Sequence, residues 1–183
     1  MGLSDLLYGV YEKRLQAQIP ADRRPRHVGV ILDGNRRWAS AQGSSSSVGH
    51  RAGAAKIVDF LGWCDEVGVE VVTLWLLSTD NLNRPQPELD ALLGIIEDTV
   101  TGLVEQGKWR LHPVGALDLL PDRTARLLKE AEESTCGIDG SMVNIAVGYG
   151  GRREVVDAVR ALLHEHSSQG TSLDELANLL DVE

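Results

Sequence analysis

The sequence predicts an α/β fold in which a mostly parallel sheet is flanked by helices. Short β-rich apolar runs alternate, from His27 towards the carboxyl end, with longer stretches whose apolar residues recur at helical spacing, the pattern of repeated strand–helix–strand units. Clusters of Gly, Pro, Asn and Asp punctuate the boundaries. With 183 residues and 43% hydrophobic composition, the chain suits one domain around one core, assigned to residues 1–183 as a whole.

The elements follow in order. Ser4 can cap a first helix, and Leu6, Leu7, Val10, Tyr11 and Leu15 share one stripe of it, so residues 1–19 are expected to pack on the main domain. Residues 20–26, with Pro20, Pro25 and their Arg and Asp neighbours, read as a polar linker. The core, 27–183, opens with a strand at 27–32 whose near-continuous apolar run fits an inner position in a parallel sheet. A helix at about 51–67, a strand at 69–77 and a helix at 87–106 come next. A strand at 110–114, a helix at 121–134, a strand at 142–148 and a helix at 151–166 complete the alternation. Ser172-Leu173-Asp174-Glu175 is a capping box that opens a last helix, with no strand after it. The run Ser44–Ser47 is expected to be a flexible loop covering phosphate.

Charge narrows the function. The net charge is −9, but residues 1–53 hold eight Lys and Arg against four Asp and Glu, leaving ten against 23 in the remainder. An acidic protein with one local basic cluster argues against nucleic acid as partner and for a compact anionic ligand. Cys64 and Cys136 are solitary and lack metal-ligand spacing. No apolar stretch reaches the roughly 20 residues of a transmembrane helix, no secretion signal opens the chain, and Leu6 occupies the place where a myristoylation motif wants Ser or Thr. A cytoplasmic location is expected; peripheral membrane contact stays open.

The most informative run is His27-Val28-Gly29-Val30-Ile31-Leu32-Asp33-Gly34-Asn35-Arg36-Arg37-Trp38. Asp33 falls at the carboxyl end of a strand, where open α/β sheets place their ligand crevices. Gly34 lets the backbone approach an anion, carboxylate oxygen suits a hard cation with phosphate as co-ligand, and planar Arg forks suit phosphate oxygens. These residues are equipment for a magnesium-bound diphosphate. Two further strand ends, Ser78–Arg84 and Tyr149–Arg153, should emerge on the same sheet edge. The glycines Gly148, Gly150 and Gly151 read more simply as a tight turn than as a phosphate loop.

DGNRRWA, GHRAG, STDNLNRP and NIAVGYGGRRE, in this order, resemble the cis-prenyltransferases, the undecaprenyl diphosphate synthase family, from about His27 to the carboxyl end. The resemblance implies that Asp33 binds Mg²⁺ and assists departure of pyrophosphate. It places Gly34, Asn35, Arg36 and Arg37 on the allylic diphosphate, Trp38 against the hydrocarbon and His50 beside the diphosphate. His50 and Arg51 would open a helix whose dipole favours anions. In the Ser78–Arg84 element, with Thr79, Asp80 and Leu82 as substrate contacts, Ser78 and Asn81 match positions implicated in positioning substrate and removing the proton. Arg84 matches one near the second diphosphate. Asn is a poor base, so Asn81 reads as an orienting group. The plainer reading of Asp33, Ser78 and Asn81 is a cap or side-chain turn, of Trp38 simple core, and of His50 a structural histidine.

Departures from the family are specific. Ser46 stands where an Arg is usual, Leu82 where Trp is usual and Gly148 where Asn is usual. The family's later strand, with its Arg-x-Ser site and magnesium-holding Glu, has no counterpart, so the active polypeptide is expected to extend past Glu183. The implied activity is condensation of isopentenyl diphosphate with a short allylic diphosphate by a homodimer. Leu76, where long-chain members often carry Ala, points by this resemblance to a product of about C15, while strand alternation supports nearly as well a plain sheet-core Leu76 facing the other side. The inner face of helix 87–106 could line a lipid tunnel. The alternatives are head-to-middle condensation of dimethylallyl diphosphate, a non-catalytic subunit, and a diphosphate-binding module.

Overall fold

In the computed structural model, residues 8–11, 14–15 and 18–167 are described. Four strands, β1 (His27–Ile31), β2 (Val71–Ser78), β3 (Arg110–Val114) and β4 (Met142–Tyr149), form one parallel sheet in the order β1-β2-β4-β3. After β1 the described α-helices are α1 (Asn35–Ala41), α2 (Ser46–Val67), α3 (Gln86–Gln106), α4 (Asp122–Thr135) and α5 (Gly151–Ser167), and residues 8–11, 14–15 and 18 are also helical. The predicted alternation is present with small boundary shifts. The helix opening at Ser172 lies outside the described residues.

One face of the sheet carries the core. Val72, Leu74 and Leu77 of β2, Leu111 of β3 and Val143, Ile145 and Val147 of β4 pack against Ile57 and Leu61 of α2, the Leu92–Leu103 stripe of α3 and Leu128 of α4. Such side chains each contribute roughly 1.5–3 kcal/mol on burial. The other face is more polar: Thr73 Oγ1 lies 2.8 Å from His27 Nε2 and accepts a bond from Asn144 Nδ2 at 3.0 Å. Asp65, at the end of α2, accepts from Trp109 Nε1 at 2.8 Å and Ser141 Oγ at 2.7 Å, tying α2 to the segments that enter β3 and β4.

Four expectations change. Among the described residues β1 is an edge strand, with Ile31 65% exposed, because an apolar run does not state how many neighbours a strand has. Tyr8, Val10, Tyr11 and Leu15 are exposed rather than packed on the domain. Asn35–Ala41, which lies between the predicted strand at 27–32 and the predicted helix at about 51–67, forms a helix of its own. Ser46 and Ser47 begin α2, so the serine run is a tight α1–α2 connection: Ser45 has the extended backbone of an N-cap position and Ser44 N–H donates to Ala39 O at 2.8 Å.

The β2–β4 pair is irregular where it meets the site. Trp75 pairs with Ala146, Leu77 with Val147 and Ser78 with Tyr149, so Leu76 is an extra residue on β2 and Gly148 a compensating one on β4. Gly148 has φ 65°, a left-handed conformation open to Gly or Asn. The bulge breaks strict alternation, which keeps Leu77 buried while Leu76 turns to the cleft.

Candidate active site

The carboxyl ends of β1 and β2 and the facing sides of α2 and α3 enclose a cleft of about 450 Å³. Asp33, Gly34, Asn35, Arg36 and Arg37 reach it from the β1–α1 junction, His50 from α2, and Ser78, Asn81 and Arg84 from the segment after β2. Its floor is apolar, built from Ile57 of α2, Trp75 and Leu76 of β2, and Leu92, Ile95 and Ile96 of α3. A polar, cationic mouth over an apolar floor suits a ligand with a charged head and a hydrocarbon tail.

At the mouth, Gly34 takes φ 86° and turns the chain into α1. Asp33 Oδ1 accepts the Gly34 N–H, and Oδ2 accepts Arg37 Nη2 at 3.2 Å, with both side chains about four-fifths exposed. Across the cleft, Arg84 Nη1 donates to Glu88 Oε1 at 3.1 Å, and Arg36 Nη1 lies 3.9 Å from the same oxygen. Glu88 therefore holds two guanidiniums together in the free protein. Sequence reasoning missed it, although Arg84, two residues ahead of α3, and Glu88, in its first turn, stand four residues apart, a spacing that signals an ion pair.

Ser78 Oγ accepts the Asn81 N–H at 3.3 Å, so the side-chain turn is present and the Ser78 hydroxyl keeps a proton to donate. Four predicted contacts lie off the cleft lining. Ala39 takes the buried side of α1, which leaves Trp38, about 100° round the helix, 50% exposed. Thr79 is a partner of the neighbouring turn: its N–H donates to Tyr149 O at 3.1 Å, and a Cβ on Gly150 would stand 2.5 Å from its Oγ1. Asp80 is exposed on the 3₁₀ turn, and Leu82 packs against the core.

The third strand end meets the cleft only indirectly. Tyr149 packs edge-on against Trp75, with ring centroids 5.5 Å apart, and donates its hydroxyl to Glu154; that bond raises its pKa. Tyr149, Gly148 and Gly150 line a separate cavity of about 500 Å³ with Gly115, Asp118 and Glu154. Gly148 sits on the β4 bulge and Gly150 joins β4 directly to α5.

His50 stands apart electrostatically. Because α2 begins at Ser46, His50 lies in its second turn and not at its amino end. Nε2 is buried without a hydrogen-bond partner. Burial lowers the His50 pKa, Arg84 and Arg36 push it further down, and Glu88 opposes them.

No group of three or more His, Cys, Asp or Glu side chains able to hold a metal occurs among the described residues. Asp33 is one accessible carboxylate beside guanidiniums, which fits a magnesium ion that arrives with most of its ligands on a diphosphate and on water. Among the described residues no helix is long and apolar enough to cross a membrane.

Comparison with known proteins agrees with this geometry. The family model described as "Putative undecaprenyl diphosphate synthase" matches residues 31–182. A (2Z,6E)-farnesyl diphosphate synthase of Thermobifida fusca is 59% identical over 174 residues, covering 94% of this chain and 68% of that protein. Isoprenyl transferase 1 of Streptomyces avermitilis is 55% identical over 181 residues, covering 99% and 70%. Among solved structures, lavandulyl diphosphate synthase from Lavandula x intermedia in complex with dimethylallyl diphosphate superposes with a TM-score of 0.77 at 29% identity, over 82% of this chain and 66% of that one.

The His50 environment yields a prediction. A depressed folded-state pKa means that the folded chain binds fewer protons than the unfolded one, so the stability from neutral His50 is fully present above the unfolded value of about 6.5 and is lost as pH falls through the folded value. An NMR titration should place His50 below about 6.5 in the free protein. Added inorganic pyrophosphate should move it upward, because an anion at the mouth offers the orphan nitrogen an acceptor and favours the imidazolium.

Proposed function

This chain belongs to the undecaprenyl diphosphate synthase family of prenyltransferases, and we propose that it condenses isopentenyl diphosphate with a short allylic diphosphate to give a Z-prenyl diphosphate of about C15. The observation that carries this reading is the juxtaposition of an Arg-rich mouth with an apolar floor in one cleft. The name of the Thermobifida fusca relative, a (2Z,6E)-farnesyl diphosphate synthase, supports the short Z-product.

The chemistry asks for charge stabilisation and no protein nucleophile. The allylic carbon–oxygen bond breaks and its electron pair leaves with pyrophosphate. The alkene of isopentenyl diphosphate attacks the allylic cation, forming the carbon–carbon bond, and one proton is lost. Arg36 and Arg37 are the groups for the departing pyrophosphate, with Gly34 admitting it close to the backbone. Ser78 and Arg84 suit the second diphosphate, and Asn81 orients the acceptor of the proton. Asp33 would hold Mg²⁺, whose part is Lewis-acid neutralisation of the leaving charge. Trp75, Leu92, Ile95 and Ile96 would shelter the cation and tail from water. We assign the active protein as a cytoplasmic homodimer on the same reading.

The lavandulyl neighbour keeps the head-to-middle alternative in view, although its identity is half that of the farnesyl relative. Product analysis discriminates. Turnover that requires isopentenyl diphosphate supports the proposal, whereas condensation of dimethylallyl diphosphate alone to a branched product rejects it.

Two variants test the assignment. Asp33→Ala should cut single-turnover rates by on the order of 10²–10³ with the fold retained, because it removes an exposed electrostatic group and no core contact; a rate within about threefold of wild type would reject the role. Leu76→Ala should give longer products if Leu76 ends the hydrocarbon space, since a packed wall resists extra methylenes at a cost of roughly 1–3 kcal/mol. An unchanged product with a lower melting temperature would make Leu76 core alone.

A further inference from the structure

The family reading places Asn35 on the diphosphate, yet its amide is engaged within the protein. Nδ2 donates to Leu32 O at 3.1 Å, a bridge that spans Asp33 and Gly34 and closes their loop. The same amide rests on α2. A Cβ on Gly53 would stand 2.5 Å from Asn35 Oδ1 and 3.0 Å from both Cγ and Nδ2. One turn earlier, a Cβ on Gly49 would lie 2.1 Å from Asn35 O and 3.0 Å from Ala39 Cβ. Gly49 is buried and Ala39 is fully so.

Neither glycine has a positive φ, so conformational freedom does not account for them. Space does. Glycine weakens a helix interior relative to alanine, and α2 carries two of them where the first turn of α1 presses in.

We propose that Gly49 and Gly53 form a notch that seats Asn35, and that the seated amide, through its bond to Leu32 O, fixes the loop carrying Asp33. Gly53 is thus a positioning residue that acts on the reaction through Asn35 without touching substrate. The effect on turnover rests on the prenyl-transfer reading; the effect on the loop does not.

A double-variant cycle tests this with four proteins: wild type, Gly53→Ala, Asn35→Ala and the pair. Two properties are read, namely backbone hydrogen exchange of residues 32–37 without ligand, and kcat and KM for isopentenyl and allylic diphosphates. In the wild-type background Gly53→Ala should speed loop exchange and lower kcat by on the order of 10- to 100-fold, the scale of a small misplacement of catalytic groups, with a lesser change in KM. In the Asn35→Ala background it should change either property by less than about twofold, the limit for uncoupled sites.

Equal penalties in both backgrounds, or no penalty in either, would overturn the proposal. Should Gly53→Ala fail to fold alone, recovery of folding in the pair supports the clash with Asn35, and continued failure rejects it. Should wild type show no condensation, the functional reading falls, while the exchange measurements still decide whether the notch holds the loop.

Discussion

Direct pairing of β1 with β2 is the constraint on which the site depends. Val28–Ile31 stand in register with Val72–Trp75, so the segments after Ile31 and after Ser78 leave the same sheet edge side by side. In a parallel sheet every strand ends at one edge, and loops distant in sequence become neighbours there. Leu32–Arg37 and Ser78–Arg84 meet across one cleft for this reason. The α2 and α3 helices supply the remaining walls because each must bury an apolar stripe on the sheet face just below.

The charged groups at the mouth differ in how firmly they are held. Asp33 and Arg37 are 78% and 82% exposed, a pair worth about 0–1 kcal/mol, so either side chain can turn to a metal or a phosphate at little cost. Arg84 and Glu88 are 18% and 28% exposed, and a shielded pair resists being parted. The cleft thus combines adjustable groups at the β1–α1 junction with a fixed guanidinium on the α3 side. His50 completes the arrangement as a half-buried ring whose Nε2 is buried without a partner and whose pKa is pushed down, first by burial.

The fold was legible because apolar periodicity survives in every major element: the 110–114 strand matches β3, and the 87–106 helix differs from α3 by one residue. What could not be read was set by tertiary packing. Asn35–Ala41 has no apolar stripe, and its helix rests on Ala39 against Gly49. Alternation assumes regular pairing, so it could not say that Leu76 sits on a bulge. Two signals were available and unused: Ser45, a preferred N-cap residue, marked the true start of α2, and the Arg84–Glu88 spacing marked the clamp. Most of the predicted site residues meet in the cleft; Trp38, Thr79, Asp80 and Leu82 do not, because neighbouring in sequence to a strand end does not fix which side a residue faces.

A crystal structure with Mn²⁺ and a non-hydrolysable allylic diphosphate analogue, read through the manganese anomalous signal, tests the central claim most directly. One metal peak is expected touching Asp33 and the diphosphate oxygens, with Arg36 or Arg37 on the diphosphate and the hydrocarbon over Trp75 and Leu92. Diphosphate bound instead at the Gly148–Gly151 turn, or metal bound without Asp33, would contradict it.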